Sequence, residues 1–294
     1  RCRGGAMDRV IAFRDALQAV YGPLDFMPVA DGSIHRFHVP GDKQGTCNGW
    51  YLLFQDGIAS GCFGSWKAGT SHTWRSRKPV DHLEAELLRQ RNEQAKRQRE
   101  AELQRQHQTA ANYAKRLWSD SWPAKPDHPY LIAKGAEPRN LRQSGDVLLV
   151  PLIHDGQLVN LQRIYPDGSK RFLRGGMVKG CYSLIGRIIE GQPVYICEGW
   201  ATGATIFGES GHAVACAMNC GNLLQVGRHL QRTRPLAVLI IAGDDDRQTE
   251  GNPGKTAAIK AAAALGCGLV LPPFPDDAPL TLSDFNDLRQ WSAA

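Results

Sequence analysis

A chain of 294 residues, 42% of them hydrophobic, can bury the cores of two domains, or of one large domain with an appendage. No apolar run approaches the ~20 residues of a membrane span and no secretory signal opens the chain, which argues against a helical membrane protein. The net charge of +6 fits a polyanionic partner.

The lead "RCRGGA" before Met7 is charged and small, and is set aside from the fold. Asp8–Tyr21 carries apolar residues at helical spacing after an acidic start. Short strands follow in "SIHRFHV", "GWYLLF" and "GIASGCFGSW", with "QDG" as a hairpin signal. Residues 7–80 thus read as a small α+β domain. Its aromatic and basic residues could stack on the bases of a single-stranded nucleic acid, with Trp66, Lys67, Trp74 and Arg75 as candidates. The plainer reading is that most of these aromatics form a small core. His35, His38, Cys47, Cys62 and His72 lack zinc-ribbon spacing, so zinc is not expected there.

Residues 81–118 hold no Gly or Pro and are rich in Glu, Gln, Arg and Ala. They read as one long helix or linker with little apolar face, bridging domains or lying in solvent. From residue 119 to 190 the pattern is mixed: a short helix from about Pro129, then two strands joined by "HDG" and closed by "PDG", then further short strands. After Pro193 strands and helices alternate regularly to the end. Such apolar strands between helices predict a parallel sheet covered on both faces over residues 191–294. The fold class expected is therefore α/β, preceded by a mixed basic subdomain and the small N-terminal domain.

Parallel sheets place ligands at the carboxyl ends of their strands. Glu198 follows the strand "PVYIC", and Asp244, Asp245 and Asp246 follow "LAVLIIAG". If those strands are neighbours, the acids converge and repel one another unless a cation neutralises them. Oxygen ligands of this kind suit Mg²⁺ or Mn²⁺ rather than zinc. Alternation along an extended chain points Asp244 and Asp246 one way and Asp245 the other. Acids at such places also cap loops and helices, which is the competing structural reading.

The motif "VYICEGWATGATI", about 45 residues ahead of "LIIAGDDDR", resembles the toprim domain of bacterial-type primases, topoisomerases and some nucleases. The resemblance implies that Glu198 is the toprim glutamate and Asp244 and Asp246 the Asp-x-Asp pair. "SDFNDL" resembles the acidic segment closing the domain in phage- and plasmid-borne primases, which adds Asp284 and Asp287; the alternative is that they cap a helix. "KRFLRGG" and "CYSLIG" loosely resemble the basic subdomain before toprim in primases. Arg163, Lys170, Arg171, Arg174 and Lys179 would then serve phosphates of template and nucleotide. The resemblance implies a DNA primase of mobile-element type that extends primers on single-stranded DNA from nucleoside triphosphates with Mg²⁺ or Mn²⁺. A replicative helicase would be a separate partner. A toprim nuclease and a non-catalytic single-strand-binding replication module are the alternatives. "GNPGKTA" only imitates a phosphate loop, since Thr249 stands where the first glycine belongs. Eight cysteines without Cys-x-x-Cys read as reduced thiols and predict a cytoplasmic protein.

Overall fold

The structure is a computed structural model that describes residues 4–293, with side chains from Met7 onward. Of the lead set aside above, residues 1–3 lie outside the described residues. Two compact units divide between Arg105 and Gln106.

In the first unit, α1 (Gly4–Tyr21) packs Phe13 and Leu17, one turn apart, against Tyr51, Leu53 and Phe63. The sheet is antiparallel in the order β1 (His35–Phe37), β2 (Gly49–Phe54), β3 (Ser60–Ser65), β4 (Thr70–Arg75). The "QDG" turn joins β2 to β3 as its residues predict, with Gly57 at φ 58°. The fourth strand, "TSHTWR", is half exposed and mostly polar, so it shows no apolar run to the sequence reader.

The long helix α2 spans His82–Ser119. Its charged residues pair along the surface, as in Arg89 with Glu86 and Glu93. It is nevertheless less solvated than its composition suggests. In the first unit Leu88 and Ala95 are buried, and the Arg91 guanidinium donates to the carbonyls of Asp56 and Ile58. In the second unit Ala110, Ala111 and Ala114 are buried, and Ala114 packs on Leu149, Leu161 and Leu173. Alanine supplies a packing stripe with little hydrophobicity for a sequence reader to notice.

The second unit opens with an antiparallel sheet in the order β5 (Trp122–Pro123), β6 (Arg142–Ser144), β7 (Val147–His154), β8 (Gln157–Ile164), β9 (Lys170–Phe172). Helix α3 (Pro129–Lys134) lies between β5 and β6 in the chain, capped by His128 at its start and Gly135 at its end. Asp155 and Gly156, both at positive φ, turn β7 into β8 with the twist that two-residue hairpins require.

The remaining chain builds a second sheet in the order β10 (Ser183–Ile185), β12 (Ala213–Cys216), β11 (Pro193–Cys197), β13 (Val238–Ala242), β14 (Gly268–Val270). The last four are parallel. The edge strand β10 is antiparallel and comes from "CYSLIG", which the sequence assigns to the preceding subdomain. Helix α4 (Trp200–Ser210) packs on one face, and α7 (Phe285–Ser292) packs on α4. Helices α5 (Leu223–Thr233) and α6 (Pro253–Leu265) cover the other face, where Val194, Ile196, Leu239 and Ile241 meet Val226, Leu230, Ala258 and Leu265. The α4 face shares its core with Leu148, Val150, Leu152 and Ile164 of β7 and β8, so the antiparallel sheet seats directly on the parallel one.

Asn222, just before α5, ties this arrangement together. Its Nδ2 donates to the carbonyls of Val178, Cys181 and Ala217 at 2.9–3.1 Å, and its Oδ1 accepts from the Gly180 amide at 2.8 Å. Asn222→Ala removes the partner of the Gly180 amide and of the Cys181 and Ala217 carbonyls, while the Val178 carbonyl keeps the Cys181 amide, and the expected cost is about 2–3 kcal/mol, read as a lower urea midpoint.

No described helix is long and apolar enough to cross a membrane. The described cysteines are all free thiols.

Candidate active site

Strands β11 and β13 are adjacent and in register, with Cys197 opposite Ala242. Both chains leave the sheet at the same edge, so Glu198 and the run Asp244–Asp246 emerge side by side. This is the convergence that the apolar strands imply. The physical sign of it is electrostatic. Burial, then the charges of Glu198, Asp284, Asp246 and Asp287, push the Asp244 carboxyl up to about 8. Burial, then Asp246 and Asp284, push Glu198 upward, while Lys170 opposes the rise. Asp244 Oδ1 is buried and accepts no hydrogen bond.

The three aspartates are sorted by the start of α6. Asn252, in the left-handed region at φ 41°, caps that helix, and its Oδ1 also accepts from the Asp246 amide at 2.9 Å. Its Nδ2 donates to Asp245 Oδ1 at 2.7 Å, and Lys255 Nζ stands 3.3 Å from the same oxygen. Asp245 is therefore neutralised locally, and the phosphate-loop lookalike spends its lysine on that aspartate. Asp246 Oδ2 accepts from the Gly254 amide at 2.8 Å. Gly254 is required by space: a Cβ there would lie 2.7 Å from Asp246 Oδ2 and 3.0 Å from the Asp244 carbonyl.

Asp284 and Asp287 stand at the start of α7, as the capping alternative has it, and their charges also reach Asp244. Asp284 caps α7, accepting from the Asp287 amide at 2.8 Å, and also accepts from Thr202 Oγ1 at 2.9 Å, while its charge reaches Asp244 and Glu198. Asp287 has both oxygens engaged, one 3.4 Å from Lys134 Nζ and one accepting from the Ser283 amide at 3.1 Å. Asn286, wholly buried between them, donates to the Lys134 carbonyl and to Thr205 Oγ1 and so locks α7 onto α3 and α4.

The donor set is oxygen only, and it holds one orphaned buried acceptor within a field of like charge. Those features fit a hard divalent cation. Among the described residues, no three of these acids bring ligand atoms within 4.8 Å of one another.

The basic residues are divided rather than gathered. The charge of Lys170 reaches Glu198, and its Nζ lies 5.4 Å from the centre of the Tyr130 ring. Arg163 and Arg171 are cross-strand partners. Strand alternation puts them on the opposite face of the sheet from Lys170, with Arg171 over the Tyr165 ring at 5.8 Å. Spacing along the sequence groups these residues, and strand alternation separates them. Arg174 and Lys179 are exposed in the loops between β9 and β10.

In the first unit Trp66 is half buried, 5.5 Å from Trp50, and Trp74 meets Phe13 edge-on at 5.3 Å. Lys67 pairs with Asp42 at 2.5 Å, and Arg75 is exposed. Both tryptophans pack with the small cores, as the plainer reading of the sequence has it.

Thr202, Asn252, Gly254 and Lys134 were not singled out in the sequence. Only Asn252 carried a readable signal, an Asn-Pro pair where a helix begins.

Residues 193–294 match the model of the toprim domain. The chain is 32% identical over 277 residues to a DNA primase TraC of Escherichia coli, covering 89% of this chain and 26% of that protein. A second DNA primase TraC of Escherichia coli is 32% identical over 277 residues, covering 87% of this chain and 19% of its own. The chain thus spans about a quarter or less of the curated relatives it matches. The crystal structure of Aquifex aeolicus primase, comprising zinc-binding and RNA polymerase domains, aligns over 94% of this chain and 81% of its own. The identity is 13% and the TM-score 0.38, which establishes no shared fold. The chain carries a toprim domain at residues 193–294, within a stretch related over most of its length to a part of the DNA primases TraC.

Proposed function

We propose that this chain synthesises short primers on single-stranded DNA by metal-dependent nucleotidyl transfer. The observation that carries the reading is the coupling of Glu198 and Asp244 across two adjacent parallel strands, with Lys170 beside them. The relatedness to part of a DNA primase supports it.

Glu198, Asp244 and Asp246 are the residues that would hold Mg²⁺ or Mn²⁺, with Asp284 adding charge and Asp287 serving as a helix-start residue. A bound divalent cation supplies Lewis acidity and charge neutralisation at phosphoryl oxygens. The chain's own groups do the rest. Lys170 offers its ammonium to the triphosphate of the incoming nucleotide. Glu198, its affinity for a proton raised by burial, would take the proton of the primer 3′-hydroxyl if Asp244 and Asp246 alone hold the cation. Arg174 and Lys179 meet template phosphates from exposed loops, while Arg163 and Arg171 meet the strand only if it wraps to the sheet's other face. The small N-terminal unit contributes template binding through its exposed basic residues, such as Arg75, rather than through stacking tryptophans. Free thiols fit a cytoplasmic setting, and a replicative helicase fits as a separate partner.

Single-stranded templates, labelled nucleotides and Mg²⁺ should give short labelled products that a chelator abolishes. Loss of template without nucleotides would favour the nuclease, and template binding without products the passive module. Gly254→Ala tests the scaffold of the site. The added methyl displaces Asp246, so incorporation should fall at least about ten-fold while circular dichroism stays unchanged.

A further inference from the structure

A second cluster of ligand-type side chains lies in the same unit, away from the acids. His154 ends β7, Asp155 opens the turn that follows, and His229 lies on α5. Their ligand atoms all lie within 4.8 Å of one another, the one such group of three among the described residues. Each carboxylate oxygen faces one ring: Asp155 Oδ2 is 3.6 Å from His154 Nε2, and Oδ1 is 3.9 Å from His229 Nε2. The two rings stand 4.5 Å apart.

Proton arithmetic makes this more than a cluster. His154 Nδ1 is 3.2 Å from the Gly180 carbonyl, which can only accept, so that nitrogen carries the hydrogen. In the neutral ring Nε2 then presents a lone pair to a carboxylate oxygen, two acceptors face to face. At 3.6 Å the gap is too long for a good hydrogen bond. It is close to the roughly 3.3–3.4 Å between ligands that share a tetrahedral zinc with bonds of ~2.0–2.1 Å. A carbonyl that fixes the tautomer of a ligating histidine is the usual support for such a metal. Arg232 supports the third ligand: its Nη2 donates to Asp155 Oδ1 at 3.1 Å and orients the carboxylate. The same guanidinium lies 3.5 Å from His229 Nδ1, and ligation through Nε2 puts a hydrogen there. Ligation by His229 would require that long contact to open, which the exposed Arg232 side chain permits.

We propose that His154, Asp155 and His229 form a binding site for a divalent transition-metal ion such as Zn²⁺, separate from the toprim acids. Three protein ligands leave a fourth position. Asp155 and His229 also line a cavity of about 730 Å³ with Tyr182, Arg187 and Arg234, which gives that position access to water or an anion. Because the ligands come from the β7–β8 turn and from α5, a bound ion would staple the antiparallel sheet to the parallel one.

The test titrates Zn²⁺ into chelator-stripped full chain against a chromophoric chelator, with excess Mg²⁺ occupying the acids. One equivalent should bind to wild type and equally to Asp244→Asn. His154→Gln and Asp155→Asn should each weaken it at least about ten-fold. His154 is partly exposed and asparagine tolerates the left-handed turn, so both variants keep the fold, checked by circular dichroism. Cobalt substitution should give ligand-field bands without sulfur charge transfer. No zinc binding by wild type, equal binding by the two variants, or thiolate bands from the free cysteines would each overturn the site.

Discussion

Asp244→Asn is expected to cut nucleotide incorporation by at least about a hundred-fold while leaving the metal-free fold intact or more stable at pH 8. Asp244 is the most deeply perturbed acid of the edge, and its Oδ1 has no partner within the protein. An amide keeps the shape of the side chain and removes the charge. The negative ligand for a cation disappears, and electrostatic stabilisation of this kind commonly carries factors of ~10²–10³ in rate. The repulsion from Glu198, Asp284 and Asp246 disappears with it. A merely structural role predicts the opposite pairing, lost stability with activity following it. Incorporation assays and urea midpoints on the same preparations separate the two. Full activity in this variant would sink the assignment of the site.

How much of this was legible beforehand depends on what kind of physics each feature uses. The parallel sheet was readable because β12 is buried throughout, β11 and β13 are buried for most of their length, and their residues are almost all apolar. Gly211 and Gly266 announced helix ends by the left-handed conformation they supply. The position of Glu198 beside Asp244 followed once those two strands were assumed neighbours. Strands β4, β5 and β6 were not readable, since they are short, polar and held by their partners rather than by propensity. The alanine stripe of α2 hid in a charged composition. The division of Lys170 from Arg171 follows from alternation along one strand, whereas that of Lys170 from Arg163 depends on the register of β8 against β9, which spacing in sequence does not contain. The His154–Asp155–His229 group joins residues about 75 positions apart, and nothing in "HDG" or "GRHLQ" signals their meeting.

The acidic edge also sets the pH dependence of the metal-free protein. Asp244 titrates near 8 in the fold, against about 3.9 in an unfolded chain. Between those values the folded form holds a proton that the unfolded form has lost, so stability falls as pH rises, by up to about 1.4 kcal/mol per pH unit for one such group. The stabilisation is fully present below the unfolded value and is exhausted once pH passes about 8. Glu198, shifted in the same direction, adds to the slope. The surface carboxylates Glu84 and Glu86 act oppositely, held down to about 2 by hydrogen bonds from Arg77 and Arg89, so their contribution is lost only on acidification below the usual carboxylate range. Urea unfolding of chelator-treated protein should therefore show stability declining from pH 5 to pH 8.5, with a shallower slope for Asp244→Asn. Millimolar Mg²⁺ should restore stability most at the alkaline end, because the cation competes with a proton for the same oxygens. A wild-type profile that is flat or rising over this range, or one that Asp244→Asn reproduces, would mean that the acids are not crowded as the structure has them.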